Sequence, residues 1–136
     1  GDRNDAASRK LLDAALAVRQ RAYAPYSRYA VGAALRDEHG RIHVGCNVEN
    51  AAYPQSVCAE AGAISAMVAA GGTRITAVAV AGGRLRPSMP CGGCRQKLRE
   101  FAAEGVPIHC ITEDGVQVVS TMGALLPQSF GPEDLA

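Results

Sequence analysis

The sequence predicts an α/β fold with three layers, helix, sheet and helix, built around a mixed five-stranded sheet. The segments alternate in the order helix, two strands, helix, strand, helix, strand, strand. The strand–helix–strand–helix–strand core of that order favours parallel strands covered by helices. The polar turn 37–40 between the first two strands indicates a hairpin, which makes the sheet mixed.

Periodicity and turn residues place the elements along the chain. Leucine and alanine recur at helical spacing over 8–22, with Ser8 as the expected N-cap, and Pro25 ends this helix. Strands follow over 29–35 and 41–48. The later elements are a helix over 58–70 ended by Gly71 and Gly72, a strand over 75–81, a helix over 91–102, strands over 107–112 and 116–120, and a short helix over 122–126.

Length and composition fit a single domain over 1–136. A chain of 136 residues that is 48% hydrophobic can bury one core and has little room for a second. We expect residues 1–7 to be disordered or to derive from an expression vector. Lys and Arg number 14 against 13 Asp and Glu, which argues against a nucleic-acid polymer as partner because such proteins carry a basic surface.

The cysteines, at positions 46, 58, 91, 94 and 110, indicate the compartment. Their odd number and the lack of a secretory leader argue against a disulfide framework. No apolar run reaches the roughly 20 residues that span a bilayer. We therefore expect a cytoplasmic protein without a membrane partner, in which clustered cysteines serve metal binding or catalysis.

The strongest motif is Pro90-Cys91-Gly92-Gly93-Cys94, preceded in the chain by Cys58-Ala59-Glu60. Alone, Cys91 and Cys94 fit a zinc half-site, a thiol–disulfide redox pair or two incidental thiols. Their place at a predicted helix start favours thiolates, because unpaired N–H groups and the helix dipole stabilise negative charge there. Cys58 also opens a predicted helix. Three thiolates can hold one zinc ion and leave a fourth position for water, as in a catalytic zinc site.

Glu60 lies two residues after Cys58, in the first turn of the same predicted helix. An acidic residue there commonly does no more than complement the helix dipole. Beside three cysteines at this spacing, we interpret Glu60 as the general base that takes a proton from water and returns it to the leaving group. The combination matches the zinc-deaminase signature of His or Cys, x, Glu, followed by Pro-Cys-x-x-Cys.

The chain resembles the small homotetrameric cytidine deaminases from about residue 11 to residue 130. The segments that carry the resemblance are Tyr23-Ala24-Pro25-Tyr26-Ser27, Val31-Gly32-Ala33-Ala34-Leu35, Gly45-Cys46-Asn47-Val48-Glu49-Asn50-Ala51-Ala52-Tyr53, Cys91-Gly92-Gly93-Cys94-Arg95-Gln96 and Leu125-Leu126-Pro127. The resemblance implies a cytidine deaminase fold, one Zn²⁺ per chain on Cys58, Cys91 and Cys94, and proton transfer by Glu60.

The same resemblance implies which residues bind the substrate. Asn47 and Glu49 would bind the ribose hydroxyls, and an amide with a carboxylate can both donate to and accept from a diol. Tyr29 stands where the family commonly has Phe and would stack on the pyrimidine. Ala59 would also contact the substrate.

The resemblance further implies a homotetramer with shared active sites. Phe130 would reach into a neighbouring subunit's site, and Tyr53 would lie at the shared boundary. In one respect the chain departs from the family, since Ala61 stands where many members have Arg after the catalytic Glu. Three thiolates on Zn²⁺ leave an excess negative charge, and Arg95 with the two helix N-termini is the expected compensation.

We therefore expect hydrolytic deamination of cytidine and deoxycytidine in pyrimidine salvage, with release of ammonia. One alternative is deamination of another aminopyrimidine nucleoside, such as a blasticidin-type antibiotic. Another is a noncatalytic zinc-containing nucleoside-binding protein, which a four-cysteine site including Cys46 would indicate. A redox protein would leave Cys58 and Glu60 unexplained. The other residues considered, expected to be structural or solvated, are Cys110, His39, His43 and His109.

Overall fold

A computed structural model describes residues 5–136 and confirms the predicted three-layer α/β fold. In this range the elements are α1 (Ala6–Arg19), β1 (Gly32–Asp37), β2 (Ile42–Cys46), α2 (Ala59–Ala69), β3 (Ile75–Ala81), α3 (Gly92–Arg99), β4 (Pro107–Ile111), β5 (Gln117–Thr121) and α4 (Met122–Leu125). Two 3-10 helices, Tyr53–Gln55 and Pro132–Leu135, are additional to the prediction. None of the helices in the described range is long and apolar enough to cross a membrane.

The start of α1 differs from the prediction. Its N-cap is Asp5, whose carboxylate accepts a hydrogen bond from the Ser8 backbone N–H at 2.7 Å. The expectation of Ser8 as N-cap is therefore wrong, because a stronger acceptor lies three residues earlier. Residues 5–7 form this cap and the first turn. The remainder of the segment expected to be disordered or vector-derived, residues 1–4, lies outside the described residues.

The strands form one sheet in the order β2-β1-β3-β4-β5. β1 pairs antiparallel with β2 and β3, β3 pairs parallel with β4, and β4 pairs antiparallel with β5. The sheet is thus mixed, as predicted. These directions bring the end of β2, the start of β1 and the ends of β3 and β4 to one edge. We call it the site edge, and the residues next to these four strand ends are Asn47, Val31, Gly82 and Thr112.

Each face of the sheet packs against helices through its own core. The face toward α1 is made of small strand residues, which are Ala34, Ala77, Ala79 and Ala81. The face toward α2 and α3 has larger ones, which include Leu35, Val78 and Val80. The small residues let α1 lie close to the sheet. A Cβ added at Gly32 would lie only 2.2 Å from the carbonyl oxygen of Ala15.

α2 approaches β2 at similarly short range. A Cβ added at Gly45 would lie 2.4 Å from the backbone nitrogen of Ala63 and 2.5 Å from the carbonyl oxygen of Ala59. Only glycine permits a strand and a helix backbone to approach this closely. The contact sets the position of the first turn of α2 on the sheet, directly after Cys58.

Two predicted boundaries moved for identifiable reasons. β1 begins at Gly32 rather than at residue 29, because side chains that follow β2 bind backbone N–H groups of segment 26–31. α3 ends at Arg99 rather than at residue 102. Beyond it, the carbonyl of Phe101 accepts a hydrogen bond from the Ile75 N–H at 2.9 Å, so this stretch supports the start of β3.

The β1–β2 hairpin, at the opposite edge of the sheet, contains a buried carboxylate. Asp37 is 1% exposed; its carboxylate lies 2.8 Å from His43 Nε2 and accepts from Arg41 Nε at 2.9 Å. Burial raises the pKa of Asp37, but these hydrogen bonds and two from the backbone outweigh it and hold the pKa well below its usual range. Arg41 also donates from Nη1 to the Ala70 carbonyl at 2.9 Å, which ties the hairpin to the end of α2.

Candidate metal centre and active site

The three predicted zinc ligands lie together. The Sγ atoms of Cys58, Cys91 and Cys94 are all within 4.8 Å of one another. Cys58 is the N-cap of α2, Cys91 is the N-cap of α3, and Cys94 lies in the first turn of α3. Two helices therefore begin at one point, where their unpaired N–H groups and dipoles favour negative charge.

The geometry and chemistry of this cluster fit zinc. Zn–S bonds of about 2.3 Å in a tetrahedron place the sulfur atoms about 3.8 Å apart, which agrees with the observed limit. Within residues 5–136, this is the one group of three or more His, Cys, Asp or Glu residues that could hold a metal ion. Cys46 is not part of it, so the four-cysteine structural site does not form. Three ligands leave one tetrahedral position open.

The three thiols differ in how readily they ionise. A hydrogen bond from the Cys94 backbone N–H lowers the pKa of the Cys91 thiol. Burial raises the pKa of the Cys58 and Cys94 thiols. Since a metal cation displaces thiol protons, it would offset the cost of holding these two groups as thiolates. The cluster therefore suits a bound metal better than three free thiols.

Glu60 lies in the first turn of α2 and is 5% exposed. Burial raises its pKa above that of an ordinary glutamate, while hydrogen bonds and the Lys97 charge lower it in part. A raised pKa brings protonation closer to neutral pH, which suits a group that accepts and then donates a proton. Lys97 was missed in the sequence, where it is only one more polar residue on a short helix.

A cavity of about 260 Å³, here called the site cavity, surrounds the cluster. It is lined by Tyr29, Val31, Asn47, Cys58, Ala59, Glu60, Ser88, Met89, Cys91 and Cys94. All three predicted ligands, the predicted base and three of the predicted substrate-binding residues thus share one space. Val31 was placed in a predicted strand and not in the site, and Ser88 and Met89 were missed because they lie in the loop after β3, which has no periodicity or motif.

Asn47 is fixed by the backbone that precedes β1. Its Oδ1 accepts a hydrogen bond from the Val31 N–H at 2.9 Å, and its Nδ2 donates to the Tyr29 carbonyl at 2.8 Å. Both ends of the amide are engaged, so its orientation is set. The same two bonds hold Tyr29 against the site cavity.

Glu49 lies in a different cavity from Asn47. That space measures about 390 Å³ and is lined by Tyr26, Ser27, Glu49, Tyr53 and Ser56. The Glu49 carboxylate accepts from the N–H groups of Tyr26 at 3.0 Å and Ser27 at 3.1 Å, and from the Ser27 hydroxyl. These bonds, that of the Ser27 hydroxyl foremost, lower the pKa of Glu49. The structure therefore separates two residues that the sequence presents as a pair.

Arg95 joins the start of α3 to the C-terminal segment. Its guanidinium donates from Nε to the Pro90 carbonyl at 2.6 Å and from Nη1 to the Leu125 carbonyl at 3.0 Å. The neighbouring Gln96 donates from Nε2 to the Phe130 carbonyl at 3.0 Å. These bonds place a positive charge beside Cys94 and fix the backbone directly before Cys91.

The two predicted subunit-boundary residues lie at the surface. Phe130 is 58% exposed, and its segment is held further by a hydrogen bond from Arg99 Nε to Ser129 Oγ at 2.7 Å and an ion pair between Arg99 and Glu133. Tyr53 is 71% exposed, and its ring meets that of Tyr26 edge-on with centroids 6.0 Å apart. Neither Phe130 nor Tyr53 lines the site cavity.

A three-thiol zinc site with an open position, beside a buried carboxylate, defines the class of zinc-dependent hydrolytic enzymes. The model of the cytidine and deoxycytidylate deaminase zinc-binding region matches residues 6–110. The chain belongs to the cytidine and deoxycytidylate deaminase family. Its zinc dependence and its hydrolytic deaminase chemistry are those predicted, and a redox role for Cys91 and Cys94 has no support.

Similar proteins cover nearly the whole chain. A cytidine deaminase of Sporosarcina psychrophila is 40% identical over 93% of this chain and 93% of its own length. That of Mycobacterium tuberculosis strain H37Rv is 43% identical over 84% of this chain and 82% of its own length. The crystal structure of a cytidine deaminase from Burkholderia pseudomallei superposes with a TM-score of 0.85 at 41% identity, covering 90% of this chain and 98% of that one.

Proposed function

We propose that this chain deaminates cytidine and deoxycytidine to uridine and deoxyuridine, with release of ammonia. The observation that carries the proposal is the site cavity, in which three clustered thiols and the buried Glu60 lie beside Asn47 and Tyr29. Relatives described as cytidine deaminases, at 40% and 43% identity, support the choice of substrate.

The proposed chemistry divides between the metal ligands and Glu60. Cys58, Cys91 and Cys94 hold one zinc ion per chain, and zinc bound there supplies a water molecule whose pKa is lowered to about 7. Glu60 would carry one proton of this water to N3 and then the second proton to the departing amine, while the C4–O bond forms and the C4–N4 bond breaks. Its buried position in the site cavity supports this role.

The other residues position the nucleoside. Tyr29 stacks on the pyrimidine, and Ala59 contacts it from the first turn of α2. Asn47 binds a ribose hydroxyl, for which one lone pair of Oδ1 and one N–H of Nδ2 remain beyond its two backbone bonds. Glu49 binds the ribose from the neighbouring cavity. Arg95 offsets the charge of the thiolates.

We also propose a homotetramer with shared active sites. Four aromatic side chains are exposed beside the two cavities or on the tail, namely Tyr26 at 50%, Tyr29 at 47%, Tyr53 at 71% and Phe130 at 58%. Burying such rings against other subunits would remove apolar surface from water. Sedimentation should give four chains per particle. Mixed tetramers of the Glu60→Gln and Phe130→Ala variants should regain activity, because some sites would combine an intact Glu60 with an intact Phe130.

The setting we propose is pyrimidine salvage in the cytoplasm, by a chain that forms one domain over 1–136. The five cysteines lie in the described part of the chain and are all free. Thiolate ligands must stay reduced to bind metal, which a reducing compartment ensures.

The test is zinc content measured together with nucleoside turnover. We expect one zinc per chain and conversion of cytidine to uridine with release of ammonia. Glu60→Gln should keep the zinc but lose turnover by about 10²- to 10⁴-fold, the usual contribution of general acid–base catalysis. The exposed Glu100→Gln is the matched control and should be fully active.

Two outcomes would contradict the proposal. Full activity of a zinc-loaded Glu60→Gln variant would remove Glu60 from the chemistry. A zinc-loaded wild-type protein that turns over blasticidin S but neither cytidine nor deoxycytidine would move the function to an antibiotic nucleoside.

A further inference from the structure

The proposed zinc site carries an excess of negative charge. Three thiolates and one Zn²⁺ sum to one negative charge, and the buried carboxyl group of Glu60 adds a second when it is ionised. Metal binding itself creates this excess, because the site gives up three thiol protons and gains only two positive charges. A positive side chain near the cluster would therefore favour the zinc-bound state.

The three cations of α3 differ in their surroundings. Arg95 donates to two backbone carbonyls, and Arg99 is paired with Glu133. The third cation is Lys97, which is exposed and lies in the last turn of the helix. A lysine there commonly does no more than complement the carbonyl end of the helix dipole.

The Lys97 side chain extends toward the opposite end of α3. Its Nζ lies 3.8 Å from the position that a Cβ added at Gly93 would occupy. Helix side chains lean toward the N-terminus, so a residue four positions later covers this turn. Gly93 lies between Cys91 and Cys94, so the ammonium group lies over the turn that carries two of the three proposed ligands.

The spacing along the two helices is consistent with this placement. Lys97 comes three residues after Cys94, and Ala61 comes three residues after Cys58. Residues three apart share a face of a helix. Each helix thus has one position on the face of its ligand from which a long side chain can approach the cluster. In α2 that position holds a methyl group, whereas in α3 it holds an ammonium group.

The charge of Lys97 also acts across to α2. Burial is the largest influence on the pKa of Glu60 and raises it, while the Lys97 charge lowers it in part. Glu60 lies in the first turn of α2, directly after Cys58 and Ala59. The ammonium group is therefore close enough to both helix starts to influence charge there.

We propose that Lys97, together with Arg95, offsets the negative charge of the zinc–thiolate site and thereby strengthens zinc binding. The inference rests on the proposed metal site and deepens it by assigning a role to a residue that does not line the site cavity. Lys97 acts on the ligands through its charge and takes no part in the reaction. The charge that Ala61 cannot supply from α2 is supplied from α3.

The test measures the zinc dissociation constant of the whole chain at neutral pH, by competition with a chromogenic chelator. Lys97→Met keeps a long side chain but removes the charge, and should weaken zinc binding about three- to tenfold, the effect of one partly screened charge. Lys97→Arg should bind zinc like the wild type, and Lys97→Glu should bind it more weakly than Lys97→Met. The control is Lys10→Met, which removes an exposed lysine of α1 on the other face of the sheet and should change nothing.

Three further readouts separate an effect of charge from one of packing. In about 1 M salt the difference between the wild type and Lys97→Met should shrink, because salt screens charges and leaves packing contacts in place. Adding Ala61→Arg to Lys97→Met should restore zinc affinity, because it places a cation on the corresponding face of α2. KM for cytidine should stay unchanged in zinc-loaded Lys97→Met, since Lys97 does not line the site cavity.

Equal zinc affinity of the wild type and Lys97→Met would overturn the proposal. A loss of the same size in all three Lys97 variants, or one that is insensitive to salt, would also overturn it, because either result would assign Lys97 a packing role. A wild-type protein that binds no zinc would instead overturn the proposed metal site, and with it the proposed deaminase function.

Discussion

Asn47 Nδ2 donates a hydrogen bond to the carbonyl oxygen of Tyr29 at 2.8 Å. The Asn47 side chain, which directly follows β2, thus fixes the backbone of Tyr29, a residue that lines the site cavity. Asn47→Asp keeps an acceptor for the Val31 N–H but removes this donor. We expect KM for cytidine to rise at least about tenfold, because the bond is lost and a carboxylate oxygen of the new Asp would face the Tyr29 carbonyl oxygen and repel it. Zinc content should not change.

The matched control for that variant is Asn50→Asp. Asn50 Oδ1 accepts from the Ala52 N–H at 2.9 Å, a bond that aspartate can make equally well. Steady-state kinetics on both variants checks the prediction. Equal KM values in the two variants would show that Asn47 has no special part in holding Tyr29.

Metal binding should depend on Cys58 and not on Cys46. Cys58→Ser should abolish stoichiometric zinc binding, because two thiolates and a hydroxyl make a far weaker site. Cys46→Ser should keep one zinc per chain, since Cys46 lies outside the cluster. Removal of zinc by a chelator should lower the Tm of the wild type by roughly 10 °C, because zinc binds the folded state. Elemental analysis and thermal unfolding check these outcomes, and loss of zinc from Cys46→Ser would refute the three-ligand site.

Gly45→Ala should lower both the stability of the fold and the affinity for zinc. The added methyl group would lie 2.4 Å from the Ala63 nitrogen, so α2 must move away from β2. We expect a loss of about 1–3 kcal/mol in the free energy of unfolding and weaker zinc binding, since Cys58 and Glu60 move with α2. Gly105→Ala, where a Cβ meets nothing within 4 Å, is the control for denaturant unfolding. Unchanged zinc affinity in a destabilised Gly45→Ala protein would show that α2 adjusts without moving its first turn.

Asp37 should stabilise the protein in a pH-dependent way. Its pKa in the folded state is below the unfolded value of about 3.9, so folding favours the ionised form. The contribution is fully present above about pH 4 and is lost as pH falls through the folded-state pKa. Asp37→Asn should be less stable than the wild type at pH 7, and the difference should shrink below pH 4. The free energy of unfolding of both proteins, measured at several pH values, gives this difference. Both proteins lose zinc at low pH, so that effect largely cancels when the two free energies are subtracted. A difference that stays constant with pH would mean that the charge of Asp37 is not what stabilises the hairpin.

The sequence was sufficient for the features that depend on local pattern or motif. Alternation of helix and strand periodicity predicts the layers and the mixed sheet, and β3 has the predicted limits of Ile75–Ala81. The spacing of Cys58, Cys91 and Cys94 predicts one metal cluster, because each opens or nearly opens a helix.

Features that depend on long-range contacts were not predictable. Residues 29–31 have the composition of a strand start, but Asn47, distant in sequence, binds the Val31 N–H and the Tyr29 carbonyl and keeps this stretch irregular. Glu49 lies in a second cavity and Ser88 lies in the site cavity because of the paths taken by the loops that follow β2 and β3 at the site edge. No periodicity in the chain encodes those positions.

The bonds from α3 to the C-terminal segment have a consequence for dynamics. Arg95, Gln96 and Arg99 all bind residues of segment 125–133, and the first turn of the same helix supplies Cys91 and Cys94. Any loosening of that first turn would also release the tail from its anchor. We therefore expect the amide hydrogens of the tail to exchange with deuterium slowly when zinc is bound and quickly when it is removed, so that the last residues report the occupancy of their own chain's metal site, whose cavity they do not line.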